Sequence, residues 1–264
     1  MAASARATPP LSAFVLHSYD WSESSLVVDL FTRAQGRVVV VAKGAKRPTS
    51  NFRPLLLPFH PLTVWLSKSA ADEHGEVRSL RAAEWGGGAP LPATALMSGF
   101  YLNELVLKGL ARQDPHPALF DAYAQTLAVL AAAADAATAA SPEIEAVALR
   151  AFELVLLREL GWLPALEVLT ASAEPLAAEG RYTIHAEAGV VADDSGLPGA
   201  AWLAVQAALR LGSLAALRQA CAAHATALRA PLRHLVHYHL ATTQLRTRRV
   251  GLQLQRLAAQ PAPR

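Results

Sequence analysis

Two hydrophobic periods divide this chain. Through its first 85 residues, apolar and polar positions alternate in short runs rich in β-branched and aromatic residues: LSAFVLHSY, SLVVDLFT, RVVVVAKG, LLLPFHPLTVWLS and EVRSLRAAEW. Polar or glycine-containing turns such as RAQG separate them. GGGAPLP, from Gly86 to Pro92, then interrupts the pattern, being poor as helix and as strand, and marks a domain boundary. Beyond it the period lengthens to about 3.6 residues. ATALMSGFYLNELVLKGLARQ sets apolar side chains at Leu96, Phe100, Leu102, Leu105, Val106 and Leu110. PALFDAYAQTLAVLAAAADAATA and PEIEAVALRAFELVLLRELG continue in the same way, the latter with Ser141 as N-cap, Pro142 at the first helical position and Glu143 and Glu145 in the first turn.

These periods predict an α+β chain. Five strands in about 75 residues leave bare sheet edges unless the sheet closes, and the five-stranded OB barrel closes it while offering one face and its loops to nucleic acid. Residues 1–85 are expected to form that barrel, with AKRPTSNF as the loop or short helix joining its third and fourth strands. A helical domain over 92–260 is expected to follow. It is interrupted over 162–198, where RYTIHAEAGVV reads as a small hairpin. Helices resume at Ala200 with breaks near Gly212 and Pro231, and AQPAPR reads as a disordered tail.

Composition excludes several classes of protein. No run of about 18 apolar residues free of charge occurs, so no membrane span is expected. The opening MAASARATPPL reads as a frayed tail rather than a signal peptide, which implies a cytoplasmic protein. A single cysteine, Cys221, excludes an internal disulfide and a multi-cysteine zinc site, so no metal is expected.

Charge changes the picture more. The net charge of +3 hides a segregated distribution. Residues 1–71 hold eight Lys and Arg against three acids, 72–194 hold seven against eighteen, and 195–264 hold nine arginines and no acid. Two basic blocks flanking an acidic middle point to a polyanionic partner. No acid falls between Leu30 and Ala71, where Arg33, Arg37, Lys43, Lys46, Arg47, Arg53 and Lys68 lie, several of them at strand ends or in loops. Phosphate groups are their natural counterpart. Tyr19, Trp21, Phe52 or Trp65 would supply faces on which bases stack, or else pack the core.

Catalytic readings fare poorly. AKGAKRPTS lacks the G-x-x-x-x-G-K-[ST] loop that cradles nucleotide phosphates. Cys221 and His224 stand one helical turn apart without an orienting acid, so Cys221 reads as structural. His234, His237 and His239 cannot all share one helix face and read as a surface that gains charge at lower pH. Glu143, Glu145, Glu153, Glu159 and Glu167 are scattered as solvated helix faces usually are. No cofactor and no enzymatic activity are expected. An OB barrel gripping structured RNA, with helices for a ribosomal or tRNA-associated partner, is the alternative to DNA binding.

Longer stretches add a resemblance. AFVLHSYDWSESSLVVDLFTRAQGRVVVVAKGAKRP followed by LLLPFHPL resembles the N-terminal OB domain of the bacterial RecO family of recombination mediators. GFYLNELVLKGLARQDPHPALFDAYAQTL and LRAFELVLLRELGW resemble that family's helical domain. The resemblance implies a protein of DNA repair that binds single- and double-stranded DNA and anneals complementary strands coated by the single-stranded-DNA-binding protein. With RecR, such a protein helps to load RecA. It nominates Arg37, Lys43, Lys46, Arg47 and Arg53 as DNA contacts, to which the acid-free basic cluster adds Arg33. Arg150, Arg246 and Arg248 match basic positions of the family's helical domain, and some of them are expected to receive the acidic C-terminal tail of the single-stranded-DNA-binding protein. A nucleoid-associated location follows from the same likeness. Many relatives carry a four-cysteine zinc module where this chain has LPALEVLTASAEPLAAEGRYTI, so the 162–198 insertion is expected to be a hairpin held by packing alone. Arg249 stands where relatives typically have an acid after the LRTR arginine.

Overall fold

A computed structural model describes residues 8–70, 77–135, 141–242 and 244–258. Five strands come first: β1 (Leu11–Asp20), β2 (Leu26–Thr32), β3 (Gly36–Ala42), β4 (Leu62–Ala70) and β5 (Val77–Trp85). They close into a barrel in the order β1-β2-β3-β5-β4, the last strand returning to the first through Leu11–Ala13 against Leu62–Val64. All pairings are antiparallel except β3 with β5. The register of β1 on β2 shifts between Val15 and His17, a local irregularity of the kind that lets a short sheet curl shut.

The valine run is explained by burial on both faces of β3. Val38, Val40 and Ala42 point into the barrel with Val15, Val28, Leu30, Val64 and Leu66, and the outward Val39 and Val41 are buried as well. The fourth strand is shorter than the apolar pattern LLLPFHPLTVWLS predicts. Residues 55–61 lie outside the strand, paired with the sheet through an isolated bridge of Pro58 to Val15, with Leu56 and Phe59 packed inward and Leu57 exposed, because Pro58 and Pro61 cannot donate to a ladder. AKRPTSNF is a succession of turns rather than a helix.

The helices are α1 (Leu96–Gly109), α2 (Pro117–Asp135), α3 (Ser141–Glu159), α4 (Gly199–Leu211), α5 (Leu214–Cys221), α6 (Ala225–His239) and α7 (Arg246–Ala258). Between α3 and α4 lie β6 (Arg181–His185), β7 (Gly189–Ala192) and β8 (Leu197–Pro198), a three-stranded sheet in the order β7-β6-β8. The expected RYTIHAEAGVV hairpin is its β6–β7 pair. Leu102, Leu105, Val106 and Leu110 are buried as the period predicts, whereas Phe100 is exposed. Pro231 does not break a helix. It sits inside α6, where burial of Leu228, Leu232, Leu235 and Val236 outweighs the one backbone bond a proline forfeits. The N-cap role of Ser141 concerns a side chain outside the described residues, as does the AQPAPR tail.

The chain groups into two units: Met1–Leu91 with Leu105–Phe120, and Pro92–Glu104 with Asp121–Arg264. The first unit thus holds more than the 1–85 expected of the barrel. Within it the Phe120 ring lies 5.4 Å from that of Phe14 and 5.2 Å from that of Phe31, and Gln113 N–H donates to the Arg37 carbonyl at 2.9 Å. Gly36, at φ +66°, passes so close to this segment that a Cβ there would stand 1.9 Å from the Asp114 carbonyl oxygen. Among the described residues, no helix is long and apolar enough to cross a membrane.

Candidate nucleic-acid interface

The basic residues of the barrel fall at opposite ends of β3, which separates them by about 20 Å. Arg33 and Arg37 flank the β2–β3 turn, and Lys43, Lys46, Arg47 and Arg53 lie beyond the other end. Of the second group, Lys43 and Arg47 reach a common cleft. An open cleft of about 450 Å³ is lined by Lys43, Gly44, Arg47, Thr49, Ser50, Asn51, Phe52, Arg81, Ala82 and Ala83.

Local structure explains how the cleft is built. At the end of β3, Gly44 adopts a left-handed conformation (φ +71°), so the chain turns sharply and projects Lys43 and Arg47 outward. Arg81 arrives from β5. Val41 of β3 pairs with Ser79, and that parallel register, carried two residues further, sets Lys43 beside Arg81. Lys43, Arg47 and Arg81 are exposed, and none makes an ion pair or side-chain hydrogen bond with the described residues. Three cations with hydroxyl and amide groups from Thr49, Ser50 and Asn51 form a surface that favours an anion. Phe52 closes the floor, packed partly against the barrel core.

The remaining nominated side chains have other surroundings. Lys46 Nζ donates to the Ser22 carbonyl at 3.1 Å and lies 3.3 Å from Asp20 Oδ1, while its N–H donates to the Ser24 carbonyl. It fastens the β1–β2 turn to the cleft. Arg53 and Arg33 are exposed, Arg33 at the far end of the barrel. Arg37 does not join the cleft. Its Nε donates to Asp29 Oδ1 at 2.9 Å and its Nη1 to the carbonyls of Leu107 and Leu110 at 2.6 and 3.2 Å, so the guanidinium is consumed inside the unit. The Lys68 side chain lies outside the described residues. Of the aromatic candidates, Tyr19 and Trp21 are exposed, at 50% and 68%, whereas Phe52 and Trp65 are half-buried.

Sequence reasoning passed over Arg81 and Trp85, the latter exposed on β5. The alternation of buried Leu80 with exposed Arg81 signals an outward cation. Its neighbourhood with Lys43 depends on the β3–β5 pairing, which joins strands far apart in sequence.

In the helical unit, Arg150 is not a surface guanidinium. It is buried on α3 and donates to Glu153 Oε1, which also accepts from Tyr101 Oη at 2.7 Å. Burial, and then the Glu153 carboxylate, push the Tyr101 phenol well above its ordinary range. Arg246 and Arg248 are exposed at the start of α7. Buried Glu104 holds that helix start: its carboxylate accepts the N–H groups of Arg246 and Thr247 at 2.8 and 2.9 Å and the Thr247 hydroxyl at 2.8 Å. Arg249 is exposed one residue further on. Cys221 is fully buried, and burial pushes its thiol up to about 12. His239 stacks on Trp162 with ring centroids 5.0 Å apart and planes 6° from parallel, and burial holds its imidazole below its ordinary value. Among the described residues, no three His, Cys, Asp or Glu side chains come together as a metal site.

Known proteins share this arrangement of sequence. The family model for the N-terminal part of recombination protein O matches residues 10–85, and that for its C-terminal part matches 93–249. Relatives described as "DNA repair protein RecO" match over nearly their whole length. That of Polaromonas naphthalenivorans (strain CJ2) is 50% identical over 251 residues, covering 93% of this chain and 96% of the relative. That of Variovorax paradoxus (strain S110) is 50% identical over 254 residues with the same coverage. That of Delftia acidovorans (strain DSM 14801 / SPH-1) is 49% identical over 270 residues, covering 97% of this chain and all of the relative.

Proposed function

The chain belongs to the RecO family of DNA repair and recombination proteins, and from that premise we propose that the cleft at the Lys43 end of the barrel grips the sugar–phosphate backbone of DNA. The observation that carries this reading is the convergence of Lys43, Arg47 and Arg81, none of them neutralised by a described residue, around one open groove. Phosphates entering the groove displace condensed counterions, and that release supplies affinity without regard to sequence. Phe52, and Trp21 on the turn that Lys46 fastens, offer faces for unstacked bases. Arg53 extends the cationic rim, and Arg33 lies on a separate surface.

The finer activity follows from the same charge. Two polyanionic strands repel, and a protein that neutralises one while it meets the other lowers that barrier without consuming nucleotide. We infer that the chain anneals complementary strands coated by single-stranded-DNA-binding protein and, with RecR, helps to load RecA. Arg246 and Arg248, exposed at the start of α7, are suited to the carboxylate-ended tail of the single-stranded-DNA-binding protein. Arg150 supports that unit from within through Glu153.

Annealing of complementary oligonucleotides by the purified chain, without nucleotide, tests the reading. The rate is expected to fall at least about tenfold in Lys43→Ala/Arg47→Ala/Arg81→Ala. An unchanged rate, or a requirement for ATP, contradicts it. Capture on the immobilised tail peptide, comparing wild type with Arg246→Ala/Arg248→Ala, tests the partner assignment separately.

A further inference from the structure

Several arginines of the helical unit are neutralised where they stand. Arg150 meets Glu153, Arg158 meets Glu159 and the Leu209 carbonyl, and Arg210 meets Glu167. Helix α6 is different. Its buried side, Ala225, Leu228, Leu232, Leu235 and Val236, packs toward α3 and β6. At about 100° per residue, exposed Arg229 and half-buried Arg233 follow one another along a stripe bordering that side, with exposed Thr226 and Ala230 beside them. Arg229 and Arg233 make no ion pair or side-chain hydrogen bond with the described residues, and the sequence holds no acid anywhere from Ser195 to Arg264.

We propose that this face of α6 is a second surface for the sugar–phosphate backbone of a nucleic-acid strand, distinct from the barrel cleft. Residues four apart on a helix rise about 6 Å, so Arg229 and Arg233 present guanidinium donors one turn apart, as successive phosphates present acceptors. An acidic peptide with apolar side chains needs a pocket beside its cation, and the neighbours in this row are Thr226 and Ala230. Guanidinium is also suited to phosphate by its planar fork of donors. The surface gives annealing its second ligand, one strand in the cleft and one on α6. In that use it rests on the barrel reading above, although strand binding by α6 does not.

The test mixes two non-complementary single strands, one carrying a donor dye and one an acceptor, with limiting full-length protein, and reads energy transfer together with binding of either strand alone. Arg229→Ala/Arg233→Ala is expected to lower the transfer signal about tenfold and to retain binding of a single strand through the cleft. Arg229→Lys/Arg233→Lys is expected to keep most of the transfer. Undiminished transfer in the alanine variant overturns the proposal. So does a variant that loses only capture by an acidic tail peptide, since the face would then serve a protein. Lys43→Ala/Arg47→Ala/Arg81→Ala separates the two readings: it is expected to lower the transfer signal as well, keeping one strand on α6, and if it leaves both the transfer and the single-strand affinity at the wild-type level, the cleft assignment fails, while the α6 variant still decides the second surface.

Discussion

Arg37 Nε lies 2.9 Å from Asp29 Oδ1, and this ion pair withdraws from the barrel's surface an arginine that sequence alone assigns to DNA. The pair is nearly enclosed, with Asp29 only 5% exposed at its side chain, and the same guanidinium satisfies the Leu107 and Leu110 carbonyls. Removing the arginine leaves a buried carboxylate without its partner. Arg37→Ala is therefore expected to destabilise the protein by about 3 kcal/mol, measured by urea unfolding, while the DNA affinity of the folded fraction stays within about twofold of wild type. A stable variant with weakened DNA binding would reverse the assignment.

Gly36 stands beside this contact. Any Cβ at that position meets the Asp114 carbonyl oxygen at 1.9 Å, and φ +66° is strained for other residues. Gly36→Ala is expected to cost on the order of 3 kcal/mol, read as a lower urea midpoint. An unchanged midpoint would mean that the 105–120 segment does not hold its place against the barrel.

Cys221 is the chain's one thiol, buried at the C-terminal end of α5 with its pKa raised to about 12. At pH 8 it is overwhelmingly protonated, so alkylation of the native protein by iodoacetamide is expected to be at least about a hundredfold slower than in urea. Rapid native alkylation would show that the thiol is not enclosed.

Much of this architecture is legible in the sequence because it is local. The alternation in LSAFVLHSY and SLVVDLFT, the glycine–proline break after Trp85 and the longer period from Leu96 onward each follow from neighbouring residues. What is not legible depends on partners distant in the chain. Arg37 and Lys43 look equivalent as two cations bracketing a valine run, yet one meets Asp29 and the 107–110 backbone while the other opens onto a cleft. Arg81 becomes part of that cleft only through the parallel β3–β5 register. Arg150 reads as a helix-surface cation until Glu153 and Tyr101 are seen to enclose it. Pro231, which reads as a break, is carried through by the apolar side of α6.

His239 gives a pH dependence with a definite sign. Burial against Trp162 holds its pKa below the ordinary 6.5, so the unfolded chain takes up the proton more readily than the folded one. Its contribution to stability is present above about pH 6.5 and is lost as pH falls toward the depressed folded value. His239→Phe is expected to flatten the decline in thermal midpoint between about pH 7 and pH 5, measured by scanning calorimetry at several pH values. An equal decline in wild type and variant would assign the acid sensitivity elsewhere.

The most direct measurement of the central claim is the salt dependence of single-strand DNA affinity. Three cations meeting phosphates contribute about two units to the slope of log affinity against log salt concentration, at about 0.7 unit each. Lys43→Ala/Arg47→Ala/Arg81→Ala is expected to weaken binding at low salt and to flatten that slope by about two units, with unfolding unchanged. A variant with the affinity and slope of wild type would place the DNA elsewhere on the protein.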